Sequence, residues 1–349
     1  MKIKKEVTIY DLAKELNYSP STISRALNNH KSISKKTIKL IKEAAEEMGY
    51  RPNSLAAGLR NNKSYTIGVL ISRINRPFMA SLISGIEETA RKAGYNVLIS
   101  QSNDKYQNEI SNCNALYDSR ITGLIVSLSM ETVDMGHFQK FVDKGIPIVF
   151  VDRVPDSFNS YKVVIDNYTA GYSATKHLIE QGCQRIAHFA GAQHRNVYRE
   201  RKKGYLDALR EYGLPIEDSL IVNFKTLSFE EGNKATKKLL KMSNPPDGIF
   251  SANDTAAVSA IMCAKKMGVD VPQQLAVIGF NDDPIASIVQ PSLSTVSHPA
   301  SKMGAISAKR ILDHSANTYD TDLSEITVLG TEIIARDSSL KKAKVLESE

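Results

Sequence analysis

TIYDLAKELNYSPSTISRALNN, residues 8–29, decides how the chain begins; it runs through SISKKTIKLIKEAAEEMGY (32–50) into RPNSLAAGLR (51–60). Thr8 is placed to cap a first helix, with Asp11 three residues on as the reciprocal partner of a capping box. Ile9, Leu12, Ala13 and Leu16 give that helix one apolar face. Ser19 is the next N-cap, and Pro20 follows at the first helical position, where its missing N–H costs nothing. Ile23, Ala26 and Leu27 form the inward stripe of the second helix, which leaves Ser21, Thr22 and Arg25 on other faces. Ser34 caps a third helix from Lys35 to Met48, and Gly49 ends it. Two short helices with a tight turn, completed by a third, make a helix-turn-helix. The N-terminal end of its second helix is the part that would enter a major groove, with Ser21, Thr22 and Arg25 near the bases. Lys5, Lys31, Lys35 and Lys36 suit phosphates, which position a protein without specifying sequence.

The segment Asn53 to Arg60 has room for barely two helical turns and contains Gly58. Such a helix is marginal in water, so its order is expected to depend on a partner. Leu59 reads either as a linker contact or as an apolar wedge between base steps of a minor groove.

Charge agrees with this division. The 349 residues carry 45 Lys+Arg and 38 Asp+Glu; 13 and 6 of these lie in residues 1–63, leaving 32 of each beyond. The whole excess of +7 therefore sits where a polyanion would be met. Cys113, Cys183 and Cys263 are widely spaced among apolar neighbours and read as reduced core thiols. No stretch suits a signal peptide or a membrane span, so a cytoplasmic protein, nucleoid-associated when bound to DNA, is expected.

From Thr66 the pattern changes. TIGVLI is a continuous apolar run of the kind a parallel sheet buries on both faces. Helical and extended segments then alternate to about residue 290 in βαβ rhythm, and Ile326 to Ile334 supplies late extended segments. Two α/β units fit better than one long sheet, with a crossing near 160–165. Loops at the C-terminal ends of the strands are where open α/β sheets bind ligands. They carry Asp152-Arg153, Arg201, Asn253-Asp254 and Asn281 to Asp283, groups suited to a hydroxyl-rich molecule. His298 reads first as structural, as do Asp282 and Asp283. There is no GxGxxG after the first strand, no Walker loop, no GxSxG elbow and no histidine spacing for a metal. Catalysis, cofactors and metals are not expected.

The chain closely resembles the LacI/GalR (lac repressor) family of bacterial transcription regulators from residue 7 to about 339. The resemblance rests on residues 8–29 joined to GYRPNSLAAGLRNNKSYTIGVL (49–70). NRPFMASLISGIE (75–87), VDR (151–153), ERKKGYLDAL (200–209), SAND (251–254), VIGFNDDPIA (277–286) and PSLSTVSHPASKMG (291–304) support it. It implies a helix-turn-helix headpiece over 1–50, a hinge helix and linker over 51–63, and a periplasmic-binding-protein-like core over 64–339, with a charged tail at 340–349. The two subdomains of the core are expected at about 64–163 plus 293–322, and 164–292 plus 323–339. It implies DNA contacts from Thr8, Ser19, Pro20, Ser21, Thr22, Arg25 and Asn28, and from Asn53, Ala56, Leu59 and Arg60 in the hinge, with Leu59 prying a central base step apart. Proline at 20 offers no side-chain hydrogen bond to a base. For the effector it implies Arg73, Asn75, Phe78, Asp152, Arg201, Asn253, Asp254 and Asn281. Asn281 stands where the family pattern usually has an aspartate, which removes a charge and leaves room for an acidic or modified sugar. The implied function is a sequence-specific regulator, read as a repressor, controlled by a sugar-like effector between the subdomains. The implied partners are double-stranded operator DNA and a second copy of the chain, since the tail lacks the heptads of a tetramerising helix. An exported sugar-binding protein and a sugar-modifying enzyme are the alternatives.

Overall fold

The computed structural model describes residues 7–50, 65–316 and 325–341. The hinge residues Asn53, Ala56, Leu59 and Arg60, with Gly58, Lys5 and the end of the tail, lie outside them. The chain divides into two compact units, Met1–Ser64 and Tyr65–Glu349.

The first unit holds α1 (Ile9–Glu15), α2 (Pro20–Leu27) and α3 (Lys35–Glu47). Each starts where its cap chemistry says it should. Thr8 and Asp11 form the reciprocal capping box. Ser19 accepts from the Thr22 N–H with Pro20 behind it, and Ser34 accepts from the Thr37 N–H. Gly49, at φ +71°, carries the left-handed residue that closes α3. Leu12, Ile23, Ala26 and Ile41 are fully buried at the centre of this bundle.

In the second unit the described elements begin with β1 (Thr66–Ile71), α4 (Pro77–Lys92), β2 (Asn96–Gln101), α5 (Tyr106–Asp118), β3 (Gly123–Val126), α6 (Gly136–Asp143), β4 (Ile148–Val151) and β5 (Tyr161–Ile165). Next come α7 (Asn167–Glu180), β6 (Ile186–Ala190), α8 (Asn196–Glu211), β7 (Ile221–Asn223), α9 (Phe229–Leu239), β8 (Gly248–Ser251), α10 (Asp254–Lys266) and β9 (Ala276–Asn281). The short α11 (Ile285–Ile288), β10 (Ser294–Ser297), α12 (Ala300–Ser315), β11 (Ile326–Leu329) and β12 (Ile333–Ile334) complete it.

The strands make two six-stranded sheets, ordered β11-β5-β4-β3-β1-β2 and β12-β10-β9-β8-β6-β7. All of the pairings are parallel except β10 with β12. β3, β4, β6 and β8 are buried along their length, as the apolar runs GLIV and IVFV of β3 and β4 require. The edge strand β2 has no fully buried residue.

The allotment of segments to lobes differs from the sequence expectation in two places. Residues 294–297 belong to the second lobe, because β10 pairs with β9. Residues 326–329 belong to the first, because β11 extends the first sheet beside β5. β5 itself is a paired strand of the first sheet, so the first crossing follows it at Asp166. The described chain thus passes between lobes after β5, after β10 and after β11, and His298-Pro299 lies on the second of these passages.

Each lobe is tied by a close helix pair, α4 with α12 and α7 with α8. Glycines allow both. A Cβ at Gly85 would collide with the Ser301 carbonyl, and one at Gly304 with the Leu82 carbonyl. Gly171 and Gly204 do the same for α7 and α8. Cys113, Cys183 and Cys263 are buried free thiols. Among the described residues no helix is long and apolar enough to cross a membrane.

Candidate functional site

At the head, the start of α2 is a cluster of hydroxyls. Ser19 Oγ lies 2.8 Å from Ser21 Oγ and 2.9 Å from Thr22 Oγ1. Ser21, Arg25 and Asn28 are exposed while Ile23 and Ala26 are buried, so the helix turns the polar face outward. Thr8 and Asn28 are engaged in local caps, Thr8 with Asp11 and Asn28 with the Ser24 carbonyl. Pro20 is half-buried.

In the core, a cavity of about 430 Å³ opens between the strand ends of the two lobes. Arg73, Phe78, Asp152, Arg201, Asn253 and Asn281 all line it. Asn75 and Asp254, expected there, are not among the lining residues. Asn75 is exposed in the β1–α4 loop. Asp254 is wholly buried beneath the floor; it accepts from the Thr295 hydroxyl at 2.7 Å and from the Asp283 N–H at 2.7 Å. Burial pushes its carboxyl up to about 7 despite those bonds. It ties the loop after β9 to α10 and β10 and does not face the cavity.

Arg201 is presented by the second turn of α8 and is 3% exposed. Its Nε donates to Asn167 Oδ1 at 2.8 Å, its Nη1 donates to the Ala252 carbonyl at 2.9 Å, and its plane lies 3.5 Å from the Phe280 ring centroid. Burial lowers it to about 10, still charged at neutral pH. Among the described residues no carboxylate forms a salt bridge with it, so donors remain for a ligand. From the opposite lobe comes Asp152, in the left-handed region at φ +63°. Burial raises its carboxyl, against Arg153 and Arg201 nearby. Asn253 caps α10 through the Ala256 N–H and donates to the Leu227 carbonyl, so its side chain serves the scaffold as well as the wall.

Three further features take their meaning from the structure. His298, on the passage between lobes, lines the cavity and stacks on Phe78 at 4.1 Å. Burial, with Arg201 nearby, lowers it well below its usual value, so it is neutral. Asp104, at the end of the β2 loop, accepts from Arg73 Nε at 3.1 Å and Arg153 Nη1 at 2.6 Å. Burial alone would raise its carboxyl, but Arg153 and Arg73 hold it below the usual range. The third is a clasp between lobes at the start of α8. His194 Nε2 lies 2.6 Å from the Met130 carbonyl, and the buried Arg195 donates to the Met130 and Thr132 carbonyls. Asn196 donates to the Asp152 carbonyl at 3.1 Å and accepts from the Val154 N–H at 3.2 Å. Glu109 steadies the receiving loop from below, accepting from the Ser129 N–H and the Thr132 hydroxyl. Nothing in the spacing of QHRN shows this, because its partners are carbonyls and amides on other loops.

Comparison with known proteins agrees with both units. The family described as "Bacterial regulatory proteins, lacI family" matches residues 8–53. That described as "Periplasmic binding proteins and sugar binding domain of LacI family" matches residues 64–333. The chain is 34% identical over 335 residues to the HTH-type transcriptional regulator DegA of Bacillus subtilis (strain 168), covering 96% of this chain and 98% of DegA. It is 33% identical over 334 residues to catabolite control protein A of Priestia megaterium, covering 95% and 99%. Among solved structures, a lac repressor dimer bound to operator and the anti-inducer ONPF superposes with a TM-score of 0.86 at 24% identity, covering 96% of this chain and 100% of that one, a likeness of fold. A complex of the transcriptional regulator CelR with cellobiose superposes with a TM-score of 0.71 at 26% identity, covering 95% and 100%.

Proposed function

The chain belongs to the LacI family of bacterial regulatory proteins, as a non-catalytic, sequence-specific DNA-binding repressor controlled by a small-molecule effector, and from that premise we propose that a sugar or sugar derivative binds in the cleft between its lobes. The observation that carries this reading is the meeting of Arg201 and Asp152, from opposite lobes, in one cavity with His298 on the passage between them. A ligand held by both lobes stabilises one angle between them. In a dimer that angle sets the spacing of the two N-terminal ends, and so controls whether the segment 51–63 orders on operator DNA. The cleft set is Arg73, Phe78, Asp152, Arg201, Asn253, Asn281 and His298. The DNA set is Ser21, Thr22 and Arg25 on α2, with Leu59 at the minor groove. A thermal-shift screen of sugars and sugar acids tests the reading, since a specific ligand gives saturable stabilisation by linkage. Stabilisation by none of them, or equal stabilisation of a chain lacking Arg201, would count against it.

Two smaller effects are expected. Arg25→Ala weakens binding to a duplex selected from a random pool by about 1–3 kcal/mol, and weakens a scrambled duplex much less. Lys35→Ala instead weakens both alike and lowers the salt slope by about one. Fluorescence anisotropy on the two duplexes at several salt concentrations separates them, and equal losses for Arg25→Ala would remove it from base readout. Asn196→Ala removes two hydrogen bonds of the clasp, each with a net worth of about 1 kcal/mol. Small-angle scattering should show a more open core, and sugar affinity should fall roughly tenfold. An unchanged radius of gyration would show that the clasp does not hold the lobes.

A further inference from the structure

His298 carries one polar atom the fold leaves unused. Its Nδ1 lies 3.1 Å from Asn281 Oδ1, so Nδ1 holds the hydrogen and the amide oxygen accepts it. A neutral imidazole with Nδ1 protonated has a bare lone pair on Nε2. Among the described residues that buried Nε2 has no hydrogen-bond partner. It lies 3.9 Å from Asp152 Oδ1, beyond hydrogen-bond reach. The ring is fixed by packing as well, with Phe78 on one side at 4.1 Å and Phe280 edge-on at 5.8 Å. His298 is 7% and Asp152 8% exposed, so neither acceptor is readily satisfied by bulk water. Two acceptors side by side repel a third acceptor and attract donors.

We propose that His298 Nε2 and the Asp152 carboxylate together receive neighbouring hydroxyl groups of the effector, and that Asn281 is the positioning residue that keeps His298 an acceptor. The proposal rests on the reading of this cleft as the effector site and sharpens it. The ligand turns a vicinal diol, and not a carboxylate, carbonyl or ether, toward the His298–Asp152 wall; an acidic group, if present, lies elsewhere in the cleft. Asparagine in place of the family's usual aspartate then has a function. It fixes the tautomer through its oxygen without adding a charge beside a buried neutral ring.

The test is nitrogen-15 NMR of the full-length chain with labelled histidine, His298 being assigned from the spectrum of His298→Gln. Near neutral pH the wild type should show the Nδ1–H tautomer. Asn281→Gly, chosen because φ at 281 is +114°, should give a tautomer mixture, and Asn281→Asp should keep the wild-type form. An Nε2–H tautomer or an imidazolium in the wild type overturns the proposal. For the ligand, D-glucose, D-ribose and D-glucuronate are the hydroxyl-bearing probes; acetate and per-O-methylated glucose are the acceptor-only ones. At least one hydroxyl-bearing probe should move the His298 Nε2 resonance saturably, and about tenfold more weakly in Asn281→Gly. The acceptor-only probes should not move it. Movement by acetate or the methylated sugar to the same degree, or by none of the probes, overturns the proposal. A sugar whose binding is lost with Arg201→Ala but unchanged by His298→Gln and Asn281→Gly overturns this inference alone. A sugar whose binding survives Arg201→Ala as well overturns the cleft reading beneath it.

Discussion

Arg201→Ala should abolish the response to effector while leaving operator binding intact. Among the described residues the guanidinium is the buried cation that reaches the cleft without a carboxylate in a salt bridge, its two intramolecular bonds going to the Asn167 side chain and the Ala252 carbonyl. Charge-assisted hydrogen bonds to a ligand are worth about 1.5–3 kcal/mol each. Loss of two therefore weakens the effector by roughly a hundredfold or more. The cost to folding is smaller, because two opposed effects meet in the same side chain. Burial disfavours the charge, as the fall to about 10 indicates, while the bonds to Asn167 and Ala252 and the stack on Phe280 favour it. Removing all of them together shifts the melting temperature modestly and the ligand response entirely. Arg201→Lys should fail nearly as badly, since one ammonium cannot hold two fixed scaffold acceptors and also present a planar fork. Calorimetry of a stabilising sugar against wild type and variant, beside anisotropy on operator DNA, checks both halves. A variant that binds the sugar normally would place the effector elsewhere, and one that no longer binds DNA would show that Arg201 supports the fold instead.

What could be read in the chain depended on how far its determinants lie apart. The head was legible almost to the residue, because Thr8, Ser19, Pro20, Ser34 and Gly49 act within one helical turn. The central strands were legible because burial on both faces leaves unbroken apolar runs such as GLIV and IVFV. The lobe to which a short strand belongs was not. STVS in β10 and ITVL in β11 look alike locally, and each is assigned only by its neighbour in the sheet, β9 for one and β5 for the other. The cleft was legible at its strand ends, where Asp152 and Asn281 sit and from which Arg201 is reached. Asp254 was misplaced because a carboxylate at the start of a helix can turn inward, and here it does so to meet Thr295, 41 residues away. His298 differs in the opposite way, since a lone histidine acquires meaning only from its neighbours in space, here Asn281 Oδ1 at 3.1 Å and Asp152 Oδ1 at 3.9 Å.

Gly204→Val should be the most destabilising single change near the site. Gly204 lies one turn beyond Arg201 on α8, facing α7. A Cβ there would strike the Tyr168 carbonyl and come within 2.6 Å of the Tyr172 amide nitrogen. The reciprocal position, Gly171 on α7, faces the backbone of Arg201 itself. These are backbone atoms in regular helices, so they cannot rotate aside and the helices must separate. Valine regains part of the roughly 1 kcal/mol that glycine sacrifices in a helix, though its branched Cβ limits the gain. Overpacking of this kind costs about 1–3 kcal/mol when neighbours can yield and more when they cannot. The overpacking wins, with an expected net loss above about 2 kcal/mol. Because the surface that must part carries Arg201, sugar affinity should fall along with stability, even below the denaturation midpoint. Gly94→Ala supplies the comparison: at φ +79° it bears the backbone penalty of a left-handed alanine, but a Cβ there meets nothing within 4 Å. Its urea midpoint should drop modestly, with sugar affinity unchanged. If the two variants shift the midpoint equally, the helix pair is looser than its glycines imply. If Gly204→Val loses stability but binds sugar normally, then the position of Arg201 does not depend on the contact between α7 and α8.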